Sequence, residues 1–148
     1  MKRAEPDGER SSVQIAVAVV RQGDRVLVGE RPAGVVLAGY AEFPGGKIEA
    51  GETSAAAAER ECWEEAALEI RAVQLLYECH HDYPHGRVQV TFWECEPRQP
   101  HAATAELRPP FRWVTKSELQ TLIFPPANEP VLARLLQADS READRASD

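Results

Sequence analysis

The segment that decides the fold runs from Gly45 to Leu68 and reads GGKIEAGETSAAAAERECWEEAAL. It begins with a glycine turn and continues into a helical run whose second half contains Glu61, Glu64 and Glu65. Because a helix turns by about 100° per residue, these three carboxylates lie on one stripe of its surface. They also lie toward the helix C-terminus, where the macrodipole disfavours negative charge. The stripe therefore predicts a cation bound between the carboxylates.

The glycines at 45 and 46 allow the backbone to approach this stripe, and a free carbonyl there would add another oxygen ligand. Carboxylate and carbonyl oxygens favour Mg²⁺ or Mn²⁺. Zinc and iron prefer thiolate and imidazole ligands, and this segment contains no cluster of cysteines or histidines. The alternative is a solvated acidic face. Such a face usually mixes charge signs at i,i+4, whereas Glu61 and Glu65 are a like pair. Arg60 is placed to orient one carboxylate but cannot neutralise three.

The segment resembles the Nudix box: glycine, five residues, Glu, seven residues, Arg-Glu, an apolar residue, any residue, Glu-Glu, any residue, glycine and an apolar residue. The matching positions are Gly46, Glu52, Arg60, Glu61, Cys62, Glu64, Glu65 and Leu68. One position departs, because Ala67 stands where the family has glycine. That glycine closes the helix in the left-handed region. We therefore expect Ala67 to alter the helix exit, with the helix running on for another turn.

The resemblance implies an α/β fold, the Nudix-type α/β/α sandwich with a mixed β-sheet, and Mg²⁺-dependent hydrolysis of a nucleoside diphosphate linkage, with Mn²⁺ as a substitute. It implies that Glu52 holds the loop to the helix and that Arg60 orients a glutamate. Lys47 would reach the phosphates; the alternative interpretation is an exposed lysine that does not contact the substrate. The implied metal ligands are the carbonyl of Gly45 and the carboxylates of Glu61, Glu64, Glu65 and the loop residue Glu106. The general base would be Glu61 or Glu106, with Glu106 otherwise an ordinary loop carboxylate.

Three further stretches resemble the MutT branch of the family, which hydrolyses 8-oxo-dGTP to the monophosphate and pyrophosphate in DNA repair and mutation avoidance. They are QIAVAVVR at 14–21, AEFPGGKIE at 41–49 and FPPANEP at 124–130. The branch implies that Asn128 reads the purine edge, since an amide offers both a donor and an acceptor. Asn128 could instead cap the terminal helix. Arg31 and Phe43 would line the nucleotide pocket, although Phe43 could belong only to the core.

Two other functions remain open at this point. The first is a Nudix hydrolase for modified pyrimidine triphosphates or another nucleoside diphosphate-linked substrate; the pyrimidine enzymes can carry a similar box and the Arg-Pro-Ala found at 31–33. A catalytically silent Nudix domain could sense a nucleotide and act through a protein partner. The complete acidic set weighs against the silent domain, because a sensor has little reason to keep a repulsive carboxylate cluster.

The chain of 148 residues is expected to form one domain over 12–138, with disordered tails at 1–11 and 139–148. The opening element is a hairpin of 13–21 and 25–29, followed by a loop at 31–44. The remaining predicted elements are a helix at 54–67, strands at 72–81 and 87–95, a mobile loop at 96–110, a strand at 111–114, a helix at 117–122 and a terminal helix from Pro130 to about Gln137. This order predicts a mixed sheet with helices on both faces.

The net charge of −7 argues against a groove for a nucleic-acid polymer but is compatible with a small nucleotide. The longest apolar run, Ile15 to Val20, is too short to cross a membrane, and no signal peptide is expected. Three scattered cysteines, Cys62, Cys79 and Cys95, predict reduced thiols and a cytoplasmic protein, either a monomer or a homodimer. The histidines at 80, 81, 85 and 101 are interpreted as surface residues rather than as a metal cluster.

Overall fold

The central strand of the sheet is the β-branched run that opens the domain. The structure, a computed structural model, describes residues 11–99 and 106–137. The strands are β1 Ser11–Gln22, β2 Arg25–Glu30, β3 Ala41–Glu42, β4 Gly45–Lys47, β5 Ile70–Tyr83, β6 Gly86–Pro97 and β7 Arg112–Thr115. The helices are α1 Ser54–Ala66, α2 Lys116–Leu119 and α3 at 129–137, the last preceded by a 3₁₀ turn, Pro126–Asn128.

β1 connects the two halves of the sheet, whose strand order is β3-β2-β1-β6-β5. It pairs in parallel with β6 from Ser11 to Val20 and antiparallel with the much shorter β2 and β4. β7 pairs antiparallel with β2, and β5 with β6. The predicted mixed sheet and the opening hairpin are therefore confirmed.

Alternation along β1 divides the core into two layers, because successive side chains of a strand point to opposite faces. Ala16, Ala18 and Val20 pack on the face that α1 covers. The buried residues of α1 on this face are small and include Ala58. Val19 packs on the other face, against Val131 and Leu135 of α3. Helices thus cover both faces of the sheet, as an α/β/α sandwich requires.

α1 begins and ends at well-defined caps. The Thr53 hydroxyl accepts a hydrogen bond from the Ala56 N–H at 3.0 Å, which confirms the predicted start. The expected extension beyond Ala67 is wrong. The helix stops at Ala66, and Ala67 adopts φ 60° and ψ 37°, the left-handed conformation that the family's glycine would favour.

Several predicted boundaries also change. β5 and β6 each extend beyond their predicted bounds, so that β6 takes in the first two residues of the expected loop at 96–110. Phe92 lies on the α3 side, whereas Trp93 packs on the α1 side and donates its indole N–H to Ser54 Oγ at 2.9 Å. Residues 1–10, 100–105 and 138–148, which include His101 and nearly all of both predicted tails, lie outside the described residues.

Membrane crossing by a helix would need a longer apolar stretch than any helix in 11–99 or 106–137 offers.

Candidate active site

The glycine turn of β4 lies directly against the acidic side of α1. The Gly45 N–H donates to Glu65 Oε1 at 3.2 Å. A Cβ on Gly46 would overlap the carboxylate of Glu61, so only glycine leaves space for that side chain. β4 is itself held to the middle of β1, where Gly45 pairs with Val17. The sheet therefore positions a backbone surface on which two of the three acidic side chains rest.

Arg60 organises the carboxylates around this surface. Its Nε and Nη2 donate to the two oxygens of Glu52 at 2.7 and 3.0 Å, and its Nη1 donates to Glu61 at 3.1 Å and Glu64 at 3.2 Å. Nη2 also donates to the backbone oxygen of Lys47 at 3.0 Å. Planar guanidinium groups are suited to such forked contacts. Nη1 also lies 3.7 Å from Glu49 Oε2, so one cation joins the end of β4 and the loop after it to the acids of α1.

Glu52 acts as the anchor of the loop. Besides the two bonds from Arg60, it accepts the Glu49 N–H at 2.9 Å. These hydrogen bonds, with Arg60 first, lower the pKa of the Glu52 carboxyl to about 2. The contact to Glu52 is likewise the main cause that raises the pKa of Arg60 above its usual value. Both groups are therefore charged throughout the physiological range, and the loop stays attached to α1.

Glu65 differs sharply from Glu52. Burial, followed by the repulsion and hydrogen bond of Glu61, raises the pKa of Glu65 to about 7, against the opposing effect of the Gly45 N–H. Two close carboxylates with little solvent favour a shared proton over two negative charges. The charge on Glu65 thus changes near neutral pH in the metal-free protein.

The donor set fits a hard divalent cation. The carboxylates of Glu61 and Glu65 lie against glycine backbone, and a cation could take the place of the proton on Glu65. Among residues 11–99 and 106–137, however, no three His, Cys, Asp or Glu side chains converge as a ready-made metal cluster. Arg60 engages Glu61 and Glu64 instead. The Glu64 side chain is 53% exposed, whereas that of Glu61 is only 14% exposed.

The loop acid Glu106 is exposed and begins the second described range. Two residues later, the Arg108 N–H donates to the Ala66 carbonyl at 3.0 Å. The Arg108 guanidinium donates to the backbone oxygen of Glu64. The segment that carries Glu106 is therefore attached to the C-terminal end of α1, next to the acidic stripe.

The predicted nucleotide-pocket residues lie on and around the α3 side of the sheet. Phe43 is buried and stacks on Phe124 with ring centroids 4.9 Å apart. The Ala41 N–H donates to the Ile123 carbonyl at 2.8 Å, which joins β3 to the segment before the 3₁₀ turn. The half-buried Asn128 closes that turn, and its amide nitrogen donates to the Pro125 carbonyl at 3.2 Å.

Arg31 supports the loop that follows β2. Its Nε donates to the Val36 carbonyl at 2.7 Å, and its Nη1 lies 3.4 Å from Glu42 Oε1. Burial raises the pKa of Glu42 and outweighs the opposing charge and hydrogen bond of Arg31. Lys47 is exposed at the end of β4, where its backbone oxygen contacts Arg60.

Sequence reasoning missed three residues at this site. Phe124 stood within the quoted FPPANEP stretch, and its position before two prolines was the available signal. Glu42 could have been found as the acid beside Phe43. Arg108 had no sequence signal, because its contacts with α1 arise only when distant segments meet.

The chain is similar in sequence and in fold to known proteins of one family. The family model described as a NUDIX domain matches residues 16–134. An Escherichia coli protein named 8-oxo-dGTP diphosphatase is 35% identical over 83% of this chain and 95% of its own. A Haemophilus influenzae protein of the same name is 30% identical over 86% and 94%. The solution structure of the E. coli ORF135 protein superimposes with a TM-score of 0.69 at 22% identity, covering 97% of this chain and all of that one.

Proposed function

The chain belongs to the Nudix hydrolase family, and we propose that it is an Mg²⁺-dependent pyrophosphohydrolase that converts 8-oxo-dGTP to the monophosphate and pyrophosphate. The observation that carries the proposal is the set of carboxylates that Arg60 and the glycine turn hold together on α1. Such a reaction would remove an oxidised purine from the nucleotide pool and so avoid mutations.

The metal would be held by Glu61, Glu64 and Glu65, with the Gly45 carbonyl and Glu106 as further oxygen ligands. Bound Mg²⁺ would neutralise charge on the phosphates and make a water molecule more acidic, and Mn²⁺ is expected to substitute for it. The half-buried Glu65 beside Glu61 supports this assignment, because the charge of Glu65 is unfavourable without a cation.

The protein's own residues then have distinct tasks. Arg60 holds Glu61 and Glu64 side by side and fixes the loop through Glu52. Lys47, exposed at the rim of this surface, supplies a point charge for the phosphates. Glu61 or Glu106 accepts the proton of the attacking water.

Base selection is assigned to Asn128. Its amide nitrogen uses one hydrogen on the Pro125 carbonyl, and the amide still has a second hydrogen and an oxygen to offer to a purine edge. The neighbouring Phe43–Phe124 stack gives the turn a rigid apolar support. Arg31 would contribute by holding the loop before β3. The names of the E. coli and H. influenzae relatives agree with an oxidised purine as substrate.

The test measures pyrophosphate release from 8-oxo-dGTP, dGTP and 5-methyl-dCTP, with Mg²⁺, with Mn²⁺ and with EDTA. Wild type should prefer 8-oxo-dGTP and require the metal. Glu64→Gln should lower kcat at least about 100-fold, since a lost ligand weakens charge stabilisation in the transition state. Its thermal unfolding should stay close to that of wild type, because Glu64 is exposed.

Glu69→Gln is the matched control, because Glu69 is an exposed acid just beyond α1. It should leave turnover unchanged. Normal turnover in Glu64→Gln would refute the metal assignment. Asn128→Ala should remove most of the preference for 8-oxo-dGTP over dGTP; if that preference persists, the assignment of base selection is wrong. Faster turnover of 5-methyl-dCTP would favour the pyrimidine alternative, and metal-independent nucleotide binding without turnover would favour a sensor.

A further inference from the structure

The exit of α1 is conformationally unfavourable for its sequence. Ala67 occupies the left-handed region at φ 60°, and its N–H donates to the Trp63 carbonyl at 3.0 Å. An L-residue other than glycine in this region loses about 1 kcal/mol or more, since its Cβ crowds the backbone. Contacts around the end of α1 offset this loss, among them the burial of Leu68, which follows Ala67.

Arg108 supplies such contacts twice. Its backbone N–H donates to the Ala66 carbonyl, and its guanidinium donates to the Glu64 carbonyl. The last four carbonyls of a helix have no partners within it, so one residue satisfies two of them. A cation at this end also interacts favourably with the helix dipole. The last turn of α1 contains no basic residue of its own, which leaves this role to a residue from elsewhere.

The turn that Arg108 contacts is also the turn that carries the acidic side chains. Glu64 presents its carbonyl to Arg108 and its carboxylate to Arg60. Glu65 lies between the two carbonyls that Arg108 contacts, with its own carboxylate at the Gly45 N–H. Fraying of this turn would move both carboxylates away from Glu61, which is held one turn earlier.

We propose that Arg108 is a positioning residue that clamps the left-handed exit at Ala67 and thereby holds Glu64 and Glu65 in place for metal binding. In this chain it takes over the helix-closing role of the box glycine that Ala67 replaces. The proposal deepens the proposed function and rests on it, since it concerns the same metal site. It also gives the loop from Glu106 onward a fixed attachment to the acidic stripe.

The experiment is a double-mutant cycle on the substrate-free protein, with Mn²⁺ alone as the probe and free Mn²⁺ measured by electron paramagnetic resonance. Arg108→Ala should weaken Mn²⁺ binding about tenfold, as loss of a group supporting metal ligands commonly does. Arg108→Lys should recover part of this loss. In the Ala67→Gly background, the fold-loss of Mn²⁺ affinity caused by Arg108→Ala should be less than about half of the loss in wild type, because glycine adopts the left-handed conformation without support.

Arg112→Ala is the control, since Arg112 is an exposed arginine whose Nη1 bonds to Glu118 at 2.8 Å, away from α1. It removes the same charge and should leave Mn²⁺ affinity unchanged. Arg108→Gln is measured in parallel, so that the decision does not depend on the folding of one variant. For 8-oxo-dGTP with Mg²⁺ well above its dissociation constant, Arg108→Ala should leave KM close to wild type and lower kcat.

Equal Mn²⁺ affinities in the Arg108 variants and the Arg112 control would overturn the proposal. So would additive effects in the cycle with Ala67→Gly, because the two residues would then act independently. A raised KM with unchanged Mn²⁺ affinity would assign Arg108 to the substrate instead. If wild type released no pyrophosphate from any nucleotide, the proposed function would fail. The Mn²⁺ titrations and the double-mutant cycle would still decide whether Arg108 holds Glu64 and Glu65 in place.

Discussion

Replacing Glu65 with glutamine should stabilise the metal-free protein at pH 8 and leave its stability unchanged near pH 4.5. The pKa of Glu65 in the folded chain is raised from 4.5 to about 7, first by burial and then by Glu61. A raised acid pKa means that the fold favours the protonated form. Its stabilising effect is therefore complete below about pH 4.5 and is lost as the pH rises through about 7. Glutamine cannot ionise and so avoids this loss.

The size of the effect follows from the shift. A change from 4.5 to about 7 corresponds to roughly 3 kcal/mol if the site were fully shielded. Glu65 is only half-buried, so solvent screening reduces the effect to about 1–2 kcal/mol. For a domain of this size that difference corresponds to about 2–8 °C in Tm.

The assay is thermal unfolding by circular dichroism in EDTA at half-unit steps from pH 4.5 to 8, with Glu69→Gln as the control. The Tm of Glu65→Gln should rise relative to wild type with increasing pH, whereas the control curve should run parallel to wild type. Added Mg²⁺ should stabilise wild type at pH 8 more than Glu65→Gln, because only wild type gains the full ligand set. Parallel wild-type and Glu65→Gln curves in EDTA would refute the reasoning about the Glu61–Glu65 pair.

Two further predictions concern the glycine turn and the thiols. Gly46→Ala should displace the Glu61 carboxylate and lower kcat at least about tenfold with little change in Tm. Gly45→Ala should instead lower the free energy of unfolding by about 1–3 kcal/mol, because its Cβ would lie 2.7 Å from a backbone oxygen of β1. Thermal unfolding and turnover of both variants test this prediction, and equal losses of stability would contradict it. In native protein at pH 8, Cys79 should react with Ellman's reagent well before the buried Cys62 and Cys95, since burial raises the pKa of the Cys62 thiol to about 12. Rapid reaction of all three cysteines would show that the α1 layer opens readily.

Much of the fold was predictable because local signals agreed with the final packing. The β-branched run at 13–21 predicted a strand of the opening hairpin, which β1 and β2 form. The helix predicted from residue 54 begins at Ser54, where the Thr53 hydroxyl caps it. The strand predicted at 87–95 lies within β6. The exit of α1 was predicted wrongly, because contacts at the end of a helix, such as the Arg108 N–H to the Ala66 carbonyl, come from distant segments that the local sequence does not show.

The sequence by itself determined the chemistry available at the site. The spacing of Glu61, Glu64 and Glu65 on one helix, with glycines before it, is a local property and needed no tertiary information. Only the tertiary structure decided how these acids share charge. Arg60 divides its contacts among several acids, Glu65 enters a half-buried position that raises its pKa, and Arg108 reaches the end of α1 from a distant segment. Burial and long-range contacts depend on which segments meet in space, and the spacing of residues along the chain does not contain that information.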